Sequence, residues 1–329
     1  MALLAAFVAG ACTGGSPASV PATIGSASVL DASPMPSATR AAPPLAPSPS
    51  SSVLQESEPV PVVAGFDAGL AYEFAVALAQ QGGRDAGTRG DQIARAMISM
   101  QLRDAGWQVV EEFVALPQGG STRNIVAFRQ AADLLRPHVV IGGHYDTKGG
   151  SPGANDNGSG IGVLVSVARE IHDEPGPVPI VLVAFGAEET QPTAARDHHL
   201  GSTAYARERG QQVIAALIID MVGNGDRTCI CWFDAGPRTL VDRLQAVATA
   251  AGLGGYREER RGDISDHGPF ARQGIPAAFL WTFNDGVLHT PRDTPDRLRP
   301  ADMARAGALT LALVRGLGAD DLEGFRTAP

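Results

Sequence analysis

Apolar runs separated by segments of helical periodicity make up most of the chain beyond residue 62. The runs HVVIGG, PIVLVAF and AALIID are almost continuously apolar, which is typical of strands buried on both faces of a parallel sheet. Between the first two, residues 160–173 have helical spacing and end at a PGP turn. This order of elements predicts a strand–helix–strand unit at the centre of the fold.

The remaining segments continue the alternation. Apolar spacing predicts helices over 67–81, 90–105, 201–210, 237–251 and 301–317, and strands over 213–220, 228–234 and 277–283. The segments QVVEEFVAL and RNIVAFRQ predict an antiparallel pair joined by a PQGGST turn. Together these elements predict an α/β fold, with a doubly wound, mostly parallel sheet sandwiched by helices.

The first 62 residues differ in composition from the rest. Residues 2–11 form an apolar run too short to span a bilayer, and it leads to Cys12, as in a signal peptide with a lipobox-like segment at 1–12. Pro, Ser, Ala and Thr dominate residues 13–62, which predicts a disordered linker because little apolar surface is available to offset chain entropy. We expect a folded domain over 63–320 and a secreted or envelope-anchored protein.

The charge of the chain argues against one class of partner. The formal net charge is −9 and no basic stripe is present, so nucleic acid is not an expected partner. We expect a monomer.

Cys229 and Cys231 would share one face of a strand, where a bridge between such near neighbours is strained. We interpret them as packing residues, with a disulfide in an oxidising compartment as the alternative.

Side chains that bind divalent zinc follow the predicted strands. In an open α/β sheet, ligands bind at the carboxyl ends of the parallel strands. Zn²⁺ takes imidazole nitrogen and carboxylate oxygen, so the set found here is sufficient for two ions. Its members, in chain order, are His144, Asp146, Asp156, Glu188, Glu189, Asp220 and His289. This set predicts a metal site that performs hydrolysis.

The spacing within this set predicts different roles for neighbouring residues. Successive side chains of an extended segment point to opposite sides, so one of Glu188 and Glu189 can bind metal while the other takes a proton from water. By the same alternation His144 and Asp146 lie on one side. The Asp146 carboxylate can then accept the second N–H of the imidazole, as metal-bound histidines usually require.

Other histidines are weaker candidates. His198 and His199 lie in the polar segment TQPTAARDHHLGS, which is typical of a surface loop. His138 opens a strand and His172 ends a helix, where a cation suits the helix dipole. His267 in SDHGPF belongs to a rigid polar turn, and a contact with substrate or with the metal ligands stays open for it.

The order of the motifs resembles the M28 metallopeptidase family, of the aminopeptidase S and aminopeptidase Y type. The motifs are GGHYDT, GANDNGSG, FGAEE, LIIDMVG, SDHGPF and LHTPRDTPDRL, and they extend over about residues 90–318. The resemblance implies two zinc ions per chain. His144 and Asp220 would complete one zinc site, Glu189 and His289 the other, and Asp156 would bridge both.

The same resemblance implies a function. Glu188 would be the general base and Asp146 would orient His144. The reaction would be that of a di-zinc aminopeptidase, which hydrolyses N-terminal residues from peptides with a free amino terminus through a metal-bridging water. The family fold is a doubly wound α/β/α sandwich, in agreement with the elements predicted above.

Two departures from the family pattern keep alternatives open. Leu288 stands where many members have a tyrosine, and the segment between Glu189 and Gly201 is longer than in typical aminopeptidases. With Lys148, this segment is similar to glutaminyl cyclases, which use the same scaffold with one catalytic zinc and in which Asp266 would matter for catalysis. A non-catalytic binding module is the other alternative, although such a module has no need of Glu188.

The N-terminal pattern gives the first testable prediction. If Cys12 carries lipid, the wild-type protein partitions with membranes, whereas Cys12→Ala is released or left unprocessed. Fractionation of the producing cells with immunodetection of the folded domain measures this. Equal membrane association of both proteins would contradict lipidation at Cys12.

Overall fold

A computed structural model describes residues 65–189, 191–194, 198–225, 227–282 and 286–327 of the chain. The segments predicted over 1–12 and 13–62 lie outside the described residues. Within the described part, eight strands form one sheet. They are β1 (Gln108–Ala115), β2 (Ser121–Phe128), β3 (His138–His144), β4 (Ile180–Phe185), β5 (Val213–Ile219), β6 (Thr228–Trp232), β7 (Tyr256–Arg260) and β8 (Ala277–Thr282).

Helices flank this sheet. They are α1 (Ala68–Ala79), α2 (Arg89–Asp104), α3 (Gly160–Ile171), α4 (Leu200–Arg209), α5 (Thr239–Ala250), α6 (His267–Ala271), α7 (Pro300–Gly316) and α8 (Ala319–Arg326). Shorter helical turns cover Ala131–Leu134, Ala154–Ser159 and Pro295–Arg297. None of the described helices is both long and apolar enough to cross a bilayer.

The strand order across the sheet is β1-β2-β4-β3-β5-β8-β6-β7. The block β4-β3-β5-β8 is parallel throughout, and β6 pairs with β7 in parallel. The pairings β1-β2, β2-β4 and β6-β8 are antiparallel. The predicted α/β fold with a mostly parallel sheet is therefore confirmed, and the antiparallel pairings lie to either side of the central block.

Alternation along the strands divides the core into two clusters, one on each face of the sheet. Ile141 and Leu217 belong to the cluster that packs against α1, α3, α5 and α7. Their neighbours Val140 and Ile218 belong to the other cluster, together with Tyr205 of α4 and Phe270 of α6. Strands buried on both faces need apolar residues at consecutive positions, which explains the continuous apolar runs.

Parallel pairing brings the ends of the central strands to one edge. His144 at the end of β3 pairs with Phe185 at the end of β4, and Ile219 at the end of β5 pairs with Leu280 in β8. The residues that directly follow these strands are therefore neighbours at the carboxyl edge of the sheet, where ligands bind in folds of this class.

The predicted helices and strands are present, with ends that shift by at most two residues. Strand β7 and helices α6 and α8 were not predicted. The β7 segment YREER lies beyond β6 at the end of the sheet and is mostly charged, so it lacks an apolar pattern. Helix α6 is only five residues long, too short to show helical periodicity.

The interpretation of the two cysteines needs correction. Cys229 and Cys231 lie on one face of β6 and are fully buried, as packing residues would be, but they form a disulfide with a Cα–Cα distance of 5.3 Å. Strand pairing sets Cys229 opposite Trp281 and Cys231 opposite Phe279. The disulfide therefore lies on the same face of the sheet as these two aromatic residues.

Close packing of α1 against α3 gives a prediction for Gly162. A Cβ atom at Gly162 would lie 2.2 Å from the carbonyl oxygen of Ala71. Alanine favours helix over glycine by about 1 kcal/mol, but overpacking costs about 1–3 kcal/mol, so Gly162→Ala should lower the free energy of unfolding. Gly324 in α8 is the matched control: apart from its chain neighbours and the backbone of its own helix, no described atom lies within 4 Å of the position that a Cβ would occupy, so Gly324→Ala should be neutral or stabilising. Denaturant unfolding measures both, and equal stabilisation by both substitutions would contradict this packing.

Candidate active site

Two histidines and three carboxylates from five separate segments meet at the carboxyl edge of the sheet. His144 Nε2 lies 3.3 Å from Asp156 Oδ1 and 3.4 Å from Asp220 Oδ1. His289 Nε2 lies 3.3 Å from Asp156 Oδ2 and 3.0 Å from Glu189 Oε2. The two oxygens of Asp156 thus face different histidines, and this carboxylate lies between two groups of donors.

These distances define overlapping groups whose ligand atoms lie within 4.8 Å of one another. The groups are His144, Asp156 and Asp220; His144, Glu188 and Glu189; and Asp156, Glu189 and His289. The first and third groups share only Asp156. Each offers one imidazole nitrogen and two carboxylate oxygens, the donor set of a zinc site with an open position.

Backbone-directed hydrogen bonds hold the loop that carries Asp156. The Asn157 side chain donates to the carbonyl of Ile219 at 2.8 Å and accepts from the Met221 amide at 3.1 Å, which joins the loop to the end of β5. The Asp293 carboxylate accepts from the amides of Asn155 and Asp156 at 2.8 and 3.0 Å. Asp156 is therefore fixed from the β5 side and from the segment that follows His289.

A buried arginine also holds the loop that carries Asp156. Arg84 is fully buried, and its guanidinium donates to the carbonyls of Tyr145, Pro152 and Gly153. Burial lowers the pKa of Arg84 to about 10, while the charge of Asp156 acts in the opposite direction. Arg84 thus stays cationic at neutral pH and places a fixed positive charge near the bridging carboxylate.

The Asp146 carboxylate has further contacts beside the predicted one with His144. The Nδ1 atom of His144 lies 3.2 Å from the backbone carbonyl of Asp146 and 3.7 Å from its carboxylate. The carboxylate also accepts from the backbone amides of Glu188 and Glu189, at 3.0 and 3.2 Å. Asp146 therefore joins the ends of β3 and β4, and it contacts His144 mainly through its main chain.

Backbone strain is concentrated at this edge. The non-glycine residues with positive φ in the described part of the chain are Ala187, His199, Met221 and His289, at 59°, 53°, 51° and 56°. Ala187 precedes Glu188 and Met221 follows Asp220. L-residues adopt this conformation only where the surrounding structure enforces it, and such residues cluster at functional sites.

Six buried carboxyl groups are concentrated in this site. Asp146, Asp156, Glu188, Glu189, Asp220 and Asp266 are all buried. Burial raises the pKa of Glu189 to about 8, and the charge of Asp156 adds to this effect. Buried oxygens of Glu189 (Oε1) and Asp220 (Oδ1) also have no hydrogen-bond donor. Carboxylates packed in this way are costly without cations, so the chemistry of the donor set fits metal ions.

The neighbouring carboxylates raise the pKa of both candidate ligand histidines. Hydrogen bonds to Asp156 and Glu189 raise the pKa of His289 to about 10. Burial opposes protonation of His144, but the charges of Glu188 and Asp220 raise its pKa well above the usual value. A metal ion at these nitrogens replaces those protons, so metal binding is coupled to proton release.

A cleft of about 360 Å³ opens above these residues. Its lining includes the candidate ligands, Glu188, His198 and His199. Its apolar walls come from Met221, Ile264, Phe279, Trp281 and Leu288. Leu288, at 42% exposure, offers no hydrogen-bond donor where many M28 members have a tyrosine.

Comparison with known proteins places this geometry in a family. The model of peptidase family M28 matches residues 124–314, more than half of the 329 residues. The chain belongs to peptidase family M28. The resemblance inferred from the motifs is therefore confirmed.

Relatives of the M28 chain include aminopeptidases. Aminopeptidase YwaD of Bacillus subtilis is 28% identical over 209 residues, which cover 59% of this chain and 44% of that protein. The chain thus spans less than half the length of this relative. A match over part of its length does not establish the activity of the whole relative for this chain.

Solved structures confirm the fold of the M28 chain. A leucine aminopeptidase precursor from Bacteroides thetaiotaomicron superposes with a TM-score of 0.69 at 20% identity, over 78% of this chain and 99% of that one. A glutaminyl cyclase from the same organism gives a TM-score of 0.67 at 20% identity, over 77% and 99%. A protein named as an aminopeptidase and one named as a glutaminyl cyclase thus share this fold, so the fold alone does not distinguish the two activities.

One residue that the sequence pattern assigned to a surface loop belongs to the M28 site. His199 is 3% exposed, and its Nε2 atom lies 3.0 Å from Oε1 of Glu188. That part of the prediction was wrong, because the segment before α4 returns to the sheet edge. The signal was the small pair Gly201-Ser202: a Cβ at Gly201 would lie 2.3 Å from the carbonyl oxygen of Gly186, which shows how closely α4 begins against the end of β4.

The residues of the SDHGPF motif lie behind the cleft. Burial raises the pKa of Asp266 to about 7, and the charge of Glu188 contributes. His267 is buried, stacks on Phe279 at 4.4 Å between ring centroids, and has its pKa lowered to about 3 by burial. His267 therefore supports an aromatic wall of the cleft as a neutral ring and is not a member of the candidate ligand groups.

The geometry of the site predicts how two substitutions change the zinc content of the protein. Because Asp156 belongs to both groups, Asp156→Ala should lower the affinity for both ions, whereas His289→Ala should deplete mainly one. Elemental analysis after equilibrium dialysis against limiting zinc measures the stoichiometry. Metal bound only to the native state adds stability, so the melting temperature should fall in the same order. Equal zinc content in the Asp156→Ala and His289→Ala proteins would contradict a shared ligand.

Proposed function

We propose that the protein is a di-zinc aminopeptidase that removes N-terminal residues from peptides. The observation that carries this proposal is the position of Asp156, whose two oxygens lie 3.3 Å from imidazole nitrogens of two different donor groups. A carboxylate in this position suits a bridge between two metal ions. Aminopeptidase relatives in family M28 support the same reaction class.

The proposed ligand sets follow from the two groups that share Asp156. His144, Asp220 and Asp156 would hold one ion, and Glu189, His289 and Asp156 the other. Ser265 donates to the second oxygen of Asp220 at 2.7 Å, which orients that carboxylate and leaves Oδ1 toward His144. Bound zinc would supply Lewis acidity toward the scissile carbonyl and would lower the pKa of a water molecule.

Glu188 is the proposed general base. It lines the cleft beside Glu189, and its backbone amide is fixed by the Asp146 carboxylate. In this reaction the Glu188 carboxylate accepts a proton from the attacking water and transfers it to the leaving amine. The apolar walls of the cleft then surround the side chain of the residue that is removed.

A glutaminyl cyclase is the second candidate, because Asp266 is fully buried beside Glu188 with its pKa raised to about 7. A carboxylate with this environment suits proton transfer in a cyclisation. The proximity of Asp220 to both His144 and Asp156 favours the aminopeptidase, since a one-metal cyclase does not require two overlapping donor groups. Product mass separates the two reactions.

The location of the enzyme is part of the proposal. We propose that the protein is exported and held at the cell envelope by lipid on Cys12. The linker over 13–62 would keep the catalytic domain, 63–320, at a distance from the membrane surface, with its cleft open to peptides in the medium. The support for this is the apolar run before Cys12 and the composition of the linker.

A substrate panel tests the proposed function. The zinc-loaded protein should release the first residue from a peptide with a free amino terminus, and amidation of the carboxyl terminus should be tolerated. Acetylation of the amino terminus should abolish cleavage.

Glu188→Gln, which keeps the size of the side chain but accepts no proton, should reduce turnover by at least ~10²-fold with unchanged zinc content. Mass spectrometry of the products measures the cleavage, and elemental analysis measures the zinc.

Each contrary outcome identifies a different error. Cleavage of the acetylated peptide at an unchanged rate would show that the amine is not recognised, and loss of ammonia from an N-terminal glutamine would identify the cyclase. Loss of zinc in the Glu188→Gln protein would make Glu188 a ligand instead of a base. Binding of peptides without turnover by the wild type would identify a binding module.

A further inference from the structure

His199 is joined to the proposed general base by its main chain and by its side chain. The His199 amide donates to the carbonyl of Glu188 at 2.8 Å, and the next amide, that of Leu200, donates to Ala187 at 2.8 Å. The His199 Nε2 atom lies 3.0 Å from Glu188 Oε1. The residue before α4 is therefore held against the residue after β4, with the imidazole directed at the carboxylate.

The other ring nitrogen of His199 faces a second carboxylate. His199 Nδ1 lies 3.5 Å from Asp263 Oδ1, and the other oxygen of Asp263 accepts from Arg272. This arrangement places the imidazole between Glu188 and Asp263. The ring of His198 meets that of His199 edge to face at 4.1 Å between centroids. Glu188 and the His198 ring thus contact the His199 ring directly, whereas Asp263 faces its Nδ1 atom without a hydrogen bond.

The His199 conformation indicates that this contact is maintained against a backbone cost. His199 has φ 53° and ψ 33°, in the left-handed region, and its side chain makes no capping hydrogen bond to α4. A residue that served only to begin the helix would be replaced with advantage by Ser, Asp or Asn, which accept from the first helical amides. The side chain is used for Glu188 instead.

We propose that His199 is a positioning residue for the general base: its Nε2–H donates to Oε1 of Glu188 and fixes the carboxylate for proton transfer in the cleft. This inference rests on the proposed function, since it assigns Glu188 the role of base. A hydrogen bond between charged or polar partners in a buried site restricts the rotamers of the acceptor. Without it, the Glu188 carboxylate samples orientations from which it does not meet the water.

A matched pair of substitutions tests this role. His199→Leu removes the donor, whereas His199→Gln has similar bulk and retains an N–H near the position of Nε2; neither side chain is β-branched, so both bear a comparable backbone cost at positive φ. We expect kcat of the Leu variant to fall by about tenfold or more, the scale of one charge-assisted hydrogen bond, with KM changed little. The Gln variant should recover most of kcat. His172→Leu, at a half-exposed helix end, is the control and should match the wild type.

A double-mutant cycle separates positioning from general structural support. In the Glu188→Gln background, His199→Leu should cause little further loss of turnover, because both substitutions act on one proton-transfer step. Zinc content should be the same in all variants. Additive losses in kcat, equal kcat for the Leu and Gln variants, or zinc loss on His199→Leu would each overturn the proposal.

A measurement without substrate keeps this inference distinct from the proposed function. Thermal unfolding is measured for the wild type, Glu188→Gln, His199→Leu and the double variant. The shifts in melting temperature should be non-additive, because the two side chains are in contact. If the wild type cleaves no peptide while these shifts are non-additive, the proposed function fails and the pairing stands. Additive shifts would show that His199 does not hold Glu188, whatever the activity.

Discussion

Repulsion among buried carboxylates is the constraint on which this structure depends. Asp156, Glu189 and Asp220 approach two histidines from separate segments, and burial raises the pKa of Glu189 to about 8. Such a group is tolerated only where cations compensate it. Arg84 supplies one fixed charge next to the Asp156 loop, and the donor groups fit the zinc of the proposed function. The strained conformations of Met221 and His289 are consistent with a site held in place by its surroundings.

The fold accounts for how these segments meet. Three parallel strands end at one edge, so that His144, Glu188 and Asp220 lie at or just beyond the ends of strands that are direct neighbours in the sheet. Hydrogen bonds then fix the loops to one another: Asp146 joins the ends of β3 and β4, and Asp293 joins the last loop to that of Asp156. A change in any one of these connectors is therefore expected to affect ligands on several segments at once.

The buried strands and the identity of the candidate ligands could be inferred from sequence because both depend on local patterns. Continuous apolar runs mark strands buried on two faces, and the residues after them share an edge. His199 was missed because its contact with Glu188 depends on the path of a polar segment, part of which lies outside the described residues. The bond between Cys229 and Cys231 likewise depends on three-dimensional positions that the apolar pattern does not encode, and so do the hydrogen bonds from the Glu188 and Glu189 amides to the Asp146 carboxylate.

The most direct test of a carboxylate shared between two metal ions is a crystal structure of the zinc-loaded protein with anomalous scattering recorded at the zinc edge. We expect two peaks about 3.5–4 Å apart, the usual separation in two-metal sites, each within bonding distance of a different oxygen of Asp156. His144 and Asp220 should coordinate one peak, and Glu189 and His289 the other. A single peak in fully loaded crystals, or two peaks that Asp156 does not bridge, would contradict the shared ligand.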